Sequence, residues 1–456
     1  MEMSIPHILA IPYPAQGHVM PMMELAQKIA KQGFKVTFVN TDFNHNRVVN
    51  ALSKENDFGD GIRLVSVPDG LEPWEDRTDL GKLSESMVRV IPGKLEEIIE
   101  NVNKAVDENN ITCVIADSGV GWALEIAVKF SLMPVIFFPA AASTMAINLS
   151  LPKMIEDGII DSDGNFTQNQ VIHLSPTMPA INSTTFAWAW FSDSATRKVM
   201  FEICMDCNAY VKLAKWILCN SSYEMEPGAF TLFPEMLPIG PLSASNKLGD
   251  KPGSFWPEDS ACLSWLDQQP ACSVIYVAYG SFTVFDQTQF QELALGLELT
   301  NRPFLWVVRP DMTGETKDVY PEGFKERIGN RGRMVSWAPQ VKVLRHPSIA
   351  CFLSHCGWNS TSEGVSNGVP FLCWPYFADQ IFNQTYICDV WKVGLKCDKD
   401  ETGIVSKGEI KNKVEQLLSE NNFKARAIQL KETVVNSVSE EGSSHMNLSK
   451  FIECLK

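Results

Sequence analysis

Between Ser354 and Gly364 the chain reads SHCGWNSTSEG, a run that crowds together an imidazole, a thiol, an indole, an amide, several hydroxyls and a carboxylate. Side chains of these types can form a nucleophile beside its base, part of a metal site, or a cradle for phosphate. Cys356 follows His355 directly, and neighbours on an extended chain point apart, so this imidazole is badly placed to activate that thiol. Neither a G-x-S-x-G elbow nor a cysteine-protease signature accompanies them. A metal would need three or four ligands at recognisable spacing, and nothing near His355 supplies them. An anion fits better: IACFLSH reads as a strand, CGWNS as a glycine turn, and STSEGVSNG as a helix start. That order points backbone N–H groups and the positive end of a helix dipole at a phosphate. His355, Asn359, Ser360 and Thr361 can add donors. Glu363, one turn on, would repel phosphate but could accept from ribose hydroxyls, as the acidic residue of dinucleotide folds does. An ordinary strand–helix junction with Ser360 as N-cap fits the same residues equally well.

A second imidazole lies near the start. In YPAQGHVMP, His18 follows the strand-like HILAIP and precedes a helix. An isolated histidine is more often a satisfied structural residue, yet imidazole at the carboxyl end of a strand is suited to take a proton from a hydroxyl. Its possible partner is Asp117, which ends the buried strand in ITCVIADSGVGWALEIA. Both fall on the same edge of one sheet, where a carboxylate can orient an imidazole.

These residues need a scaffold of strands alternating with helices. In the first third, HILAIP leads into MPMMELAQKIAKQG, where Met23, Leu25, Ala26 and Ile29 recur at helical spacing before Gly33. FKVTFVN, IRLVSVP, ITCVIAD and MPVIFFP then read as buried strands. CSVIYVAYGS, FLWVV, RMVSW, IACFLSH and VPFLCWP repeat the scheme in the second half. Such alternation implies a parallel sheet covered on both faces. A length of 456 residues suits two domains of roughly 200 residues each. The stretch from Pro238 to Ser260, rich in Pro, Gly and Ser, is the clearest linker signal. We therefore expect an α/β protein with a first domain over 1–242, a linker over 243–256 and a second domain over 257–439. Ligands in such sheets bind at strand carboxyl ends, and a cleft between domains is the natural site.

Composition excludes several classes. A net charge of −15 argues against nucleic acid as partner. Apolar runs such as VIFFPAAA are far short of the ~20 residues that span a bilayer. The start, MEMSIPHILAIP, has Glu2 and no basic segment, unlike a signal peptide. A cytoplasmic location is expected, and the 12 cysteines, mostly in apolar runs, fit free buried thiols. Cys204 and Cys207 form the lone CxxC, read as two thiols on one helix face, and the acidic DSD (Asp161–Asp163) and DKD (Asp398–Asp400) read as turns. No G-x-G-x-x-G follows the first strand, which speaks against a nicotinamide-dependent reductase.

From Trp337 to Gln380 the chain reads WAPQVKVLRHPSIACFLSHCGWNSTSEGVSNGVPFLCWPYFADQ. This resembles the signature box of plant secondary-product glycosyltransferases, the family 1 enzymes that move sugar from UDP-sugars onto small lipophilic acceptors. WAPQ, HCGWNS, Glu363, GVP, Pro375 and the closing DQ stand in register without a gap, and PAQGH, PIGPL and YGS extend the resemblance over essentially the whole chain. It implies the GT-B fold, two Rossmann-like doubly wound domains facing across a cleft, with a C-terminal helix at about 440–456 packing back on the first. By the same resemblance, Trp337 stacks on uracil while the Ala338 backbone and Gln340 read its edge. Glu363 holds the ribose, and Ser281, His355, Asn359 and Ser360 contact the phosphates. Trp358, Asp379 and Gln380 meet the sugar. The terminal Gln implies UDP-glucose as co-substrate, with no cofactor and no metal.

His18 then becomes the general base, supported by Asp117, for a single in-line displacement that inverts the anomeric centre and yields a β-glucoside. Another UDP-sugar, or a non-O-glycoside, is the alternative. Many relatives carry Thr where this chain has Pro139, so either Ser143 or Thr144 substitutes at the sugar's 6-position or that contact is absent. For the acceptor, FAWAWF (Phe186–Phe191) and EPWED (Glu72–Asp76) offer aromatics that suit a pocket or a core equally. The protein is expected to act as a monomer.

Overall fold

The computed structural model describes residues 5–51, 61–105, 109–168, 170–244, 254–313 and 319–456. Residues 245–253, the middle of the expected linker, and the first four residues lie outside them. The chain divides into two compact units, Met1–Trp256 with Asn436–Lys456, and Pro257–Val435.

The first unit holds seven strands: β1 (His7–Ile11), β2 (Lys35–Thr41), β3 (Ile62–Val67), β4 (Ile111–Asp117), β5 (Met133–Phe138), β6 (Trp216–Cys219) and β7 (Met236–Pro238). They pair in parallel throughout in the order β3-β2-β1-β4-β5-β6-β7. Every residue of β1 is buried, as a strand flanked by helices on both faces requires. The edge strand β3 is half-buried or exposed except at its last residue, Val67, which is buried. The Gln16–Ala30 helix buries Met22, Met23, Leu25, Ala26 and Ile29 on the sheet. Gly33, at φ +89°, takes the left-handed turn that ends this segment.

The chain's end completes this unit. In the Ser443–Cys454 helix, Phe451 is fully buried and meets Trp216 edge-on at 5.8 Å. Asn447 donates to the Pro238 carbonyl at 2.9 Å and Ser443 to Glu224 at 2.8 Å. Burying a phenylalanine is worth about 2–3 kcal/mol, enough to fasten the helix to strands β6 and β7.

The second unit holds β8 (Val274–Ala278), β9 (Phe304–Val307), β10 (Gly332–Val335), β11 (Ile349–Ser354), β12 (Phe371–Cys373) and β13 (Gly394–Lys396). Its parallel order is β10-β9-β8-β11-β12-β13. The strand order reverses between β1 and β4 in one sheet, and between β8 and β11 in the other. At such a reversal the two connections leave on opposite faces, opening a crevice at the carboxyl ends.

Candidate active site

In the first unit the crevice holds His18 and Asp117. His18 sits in the first turn of the helix that follows β1, its N–H bonded to the Ala15 carbonyl at 2.9 Å. Asp117 ends β4 and is fully buried, while the His18 side chain keeps 35% of its surface exposed. His18 Nδ1 lies 2.8 Å from Asp117 Oδ2. The other carboxylate oxygen accepts from the Gly119 N–H at 2.8 Å, so both oxygens are pinned. Donation from Nδ1–H to the carboxylate selects the tautomer in which Nε2 is the basic nitrogen. Tyr13 flanks the imidazole at 5.3 Å, and its hydroxyl bonds Ser84 Oγ at 2.9 Å. Burial pushes that hydroxyl up to about 12, so it stays protonated and serves as a wall.

In the second unit the turn after β11 is built around a glycine. Gly357 is the N-cap of the Trp358–Asn367 helix and carries no side chain to cap it. Ser360 is therefore the third helical residue rather than the N-cap, because Cys356 takes the turn instead, at φ +64°. The Cys356 thiol is fully buried, and its carbonyl accepts from Thr361 Oγ1 at 3.2 Å and Asn383 Nδ2 at 2.9 Å. His355 packs its Nε2 between two glycines: a Cβ on either Gly280 or Gly357 would meet that atom at 2.5 Å. Nδ1 is buried without a hydrogen-bond partner among the described residues, and the Ala278 backbone only partly offsets the effect of burial on the ring. Burial pulls the imidazole down to about 4, so it is neutral and carries one N–H. Ser281 follows Gly280 at the end of β8, on the other side of the switch point.

Gln340, Ser360 and Glu363 meet. Gln340 Nε2 donates to Ser360 Oγ at 2.9 Å and to Glu363 Oε2 at 2.8 Å, and its oxygen accepts from the buried Tyr276 hydroxyl at 3.0 Å. Trp337 is half-buried and its carbonyl accepts from the Asp259 N–H at 2.9 Å, while Ala338 and Trp358 are buried. Asn359, half-buried, accepts on its carbonyl from Ser362 Oγ at 3.0 Å. Asn383 Nδ2 also donates to Asp379 Oδ2 at 3.0 Å, tying that carboxylate to the Cys356 turn. Gln380 commits its oxygen to the N–H groups of Tyr376 and Phe377 at 2.8 and 3.1 Å.

Other expected residues are engaged differently. Ser143 is buried, and both its N–H and its hydroxyl donate to Glu226 Oε1, at 2.9 and 2.6 Å. Glu226 accepts from Ala142 and Ser221 as well, and burial raises its carboxyl. Phe186 stacks on Trp188 at 4.5 Å, both about 1% exposed, and Trp188 Nε1 bonds the Gly164 carbonyl. These two are core, whereas Trp190 is 39% and Trp74 81% exposed. Asp161 and Asp400 receive backbone N–H groups two and four residues on, as turn residues do. Among the described residues no cluster of three or more His, Cys, Asp or Glu could hold a metal, and no helix is long and apolar enough to cross a membrane.

Missed from the sequence were Gly280 and Gly357 as the walls of the His355 slot, and Tyr276 as a brace for Gln340. The glycines flanking a Tyr-Gly-Ser and a Cys-Gly-Trp turn were the available signal.

Comparison with known proteins agrees with this geometry. Residues 7–434 match the family model described as UDP-glucoronosyl and UDP-glucosyl transferase. The chain is 46% identical to UDP-glycosyltransferase 83A1 of Arabidopsis thaliana, over 100% of this chain and 98% of that protein. It is 32% identical to 7-deoxyloganetin glucosyltransferase of Catharanthus roseus, over 99% of this chain and 96% of that one. UGT2 of Phytolacca americana, solved with UDP-2fluoro-glucose and pterostilbene, superposes with a TM-score of 0.81 at 26% identity, covering 100% of both chains. Two Rossmann-like sheets of the GT-B class, the donor box and these relatives converge: the chain belongs to the plant family 1 UDP-glycosyltransferases.

Proposed function

We propose that the protein transfers glucose from UDP-glucose to a hydroxyl of a small lipophilic acceptor, with inversion, using His18 as general base. The observation that carries this reading is the 2.8 Å bond from His18 Nδ1 to a carboxylate that is itself fully buried and pinned. In the reaction the acceptor oxygen bonds to the anomeric carbon as the bond from that carbon to the diphosphate oxygen breaks. The hydroxyl proton passes to His18 Nε2, and UDP departs with the electron pair. Asp117 stabilises the imidazolium as it forms, the role of an orienting carboxylate without a covalent intermediate.

The first unit then serves the acceptor and the second the donor. Glu363, already within reach of Gln340, would accept from the ribose hydroxyls, and Trp337 would stack on uracil beside the Ala338 backbone and Gln340. His355, Asn359, Ser360 and Ser281 would donate to the diphosphate, whose charge the open helix end favours. Asp379 and Gln380, with Trp358, would meet the sugar. Ser143 drops out of the sugar contacts because Glu226 holds its hydroxyl, which leaves Thr144 as the candidate. Glucose is supported by Gln380 and by the donors named for the Catharanthus and Phytolacca relatives.

The decisive experiment incubates the enzyme with UDP-glucose, UDP-galactose or UDP-glucuronate and a panel of phenolic, terpenoid and carboxylic acceptors, read by mass spectrometry and product NMR. A β-O-glucoside formed fastest from UDP-glucose is the expected product. Retention at the anomeric carbon, or equal turnover of all three donors, would remove the respective part of the reading.

A further inference from the structure

We propose that Arg309 is the fixed cation of the donor site, a positioning residue that shapes the Gly280–Thr283 loop on which the diphosphate is to be held. This rests on the donor role given above to the second unit. Arg309 follows β9, and its side chain is only 1% exposed. Its guanidinium fans out over the neighbouring loop: Nη1 donates to the Gly280 carbonyl and Nη2 to the Thr283 carbonyl at 2.9 Å, while Nε donates to Asp311 Oδ1 at 2.9 Å. The backbone repeats the union, since Met312 N–H bonds the Arg309 carbonyl at 3.1 Å and Phe285 N–H bonds the Met312 carbonyl at 2.9 Å.

The loop held this way is the one that touches the diphosphate residues. Gly280 is the glycine against which His355 Nε2 packs, and Ser281 is its next neighbour. Two carbonyls drawn toward a buried guanidinium turn their peptide units, so the loop's N–H groups and the Ser281 hydroxyl are presented in one arrangement. The charge also matters by itself. The Asp311 side chain is 64% exposed and that of Arg309 1%, so water screens the carboxylate more than the guanidinium. His355, kept neutral by its burial and opposed by the same guanidinium, donates a hydrogen bond but brings no charge. A well-packed apolar side chain would fill Arg309's place at less desolvation cost. A buried cation at this position fits a demand for charge beside a dianion.

The test compares the wild type with Arg309→Lys and Arg309→Gln. Isothermal titration with UDP gives donor-site affinity, and steady-state kinetics give separate KM values for UDP-glucose and acceptor. Arg309→Lys keeps charge but holds fewer carbonyls, and a weakening of UDP binding of about 10-fold is expected. Arg309→Gln loses both, and about 100-fold is expected. The acceptor KM should stay within a factor of two in both. A structural role alone would lower Tm and the active fraction while leaving Kd and donor KM unchanged in the folded enzyme, and that result would overturn the proposal. Should Arg309→Gln not fold, Arg309→Lys decides alone. A wild type that fails to bind UDP would overturn the donor-site reading itself, whereas unaltered UDP affinity in a folded Arg309→Lys sinks only this inference.

Discussion

Each sheet carries a histidine at its switch point, and the two are opposite in character. His18 leans on a buried carboxylate and keeps about a third of its side chain in solvent. His355 is 9% exposed and sits between two glycines, its imidazole pulled down to about 4 by burial. One environment sets a carboxylate against the ring, and the other keeps the ring neutral by burial. Position at the carboxyl end of a central strand makes each residue available for function, but the partner supplied across the switch point sets what it does. The partner of His18 is an acid from β4, and those of His355 are backbone from β8 and its own turn.

The largest effect should come from breaking the first pair. His18→Ala should lower kcat by about 10²–10⁴-fold, with UDP affinity by calorimetry nearly unchanged. Asp117→Asn should fall in the same range, since the amide can hold the ring in the wrong tautomer. Intact turnover in His18→Ala would strip it of the base role. Next in size, Glu363→Ala should raise the donor KM by roughly 10–100-fold, the worth of hydrogen bonds to a charged group. It also removes one of the two acceptors of the Gln340 amide, so Glu363→Gln should lose less; an unchanged donor KM removes the ribose contact.

Gly357→Ala probes the slot of the second histidine. Its Cβ would meet His355 Nε2 at 2.5 Å, so the ring or the turn must shift, at a cost of about 1–3 kcal/mol. UDP binding should weaken while His18 chemistry at saturating donor is little altered. Equal loss in kcat would show that the two histidines are not separable in this way.

A last test of the comparison is its pH dependence. His355 is held below its ordinary value in the folded state, so between about 6.5 and 4 the unfolded chain takes up a proton that the folded one resists. Its contribution to stability is full above pH 6.5 and is lost as pH falls toward 4, at roughly 1.4 kcal/mol per unit. Thermal denaturation of wild type and His355→Asn across this range should therefore converge as the medium is acidified. Parallel curves would mean that burial does not hold the imidazole neutral.

Most long strands were legible because parallel strands covered on both faces are near-continuous apolar runs, as in VIYVA and IACFLS. The short strands β6, β7 and β13 were not read as such: MLP and GLK carry no apolar run, and WILC lies at the end of a long helical stretch. The Trp358–Asn367 helix was visible in outline but its cap was not. Serine is the better capping residue by type, and only the left-handed turn at Cys356 moves the boundary back to Gly357.

The sequence by itself determined the fold class, the family and the short list of chemically able residues. Local order suffices for these, because periodicity records which faces are buried and a contiguous box records the donor. What tertiary structure alone decided is who meets whom. Glu226 holds the Ser143 hydroxyl, Phe186 and Trp188 turn inward, Tyr276 braces Gln340, and Arg309 grips the loop around Ser281. Each of these depends on strand order and register between distant segments, which no local pattern encodes.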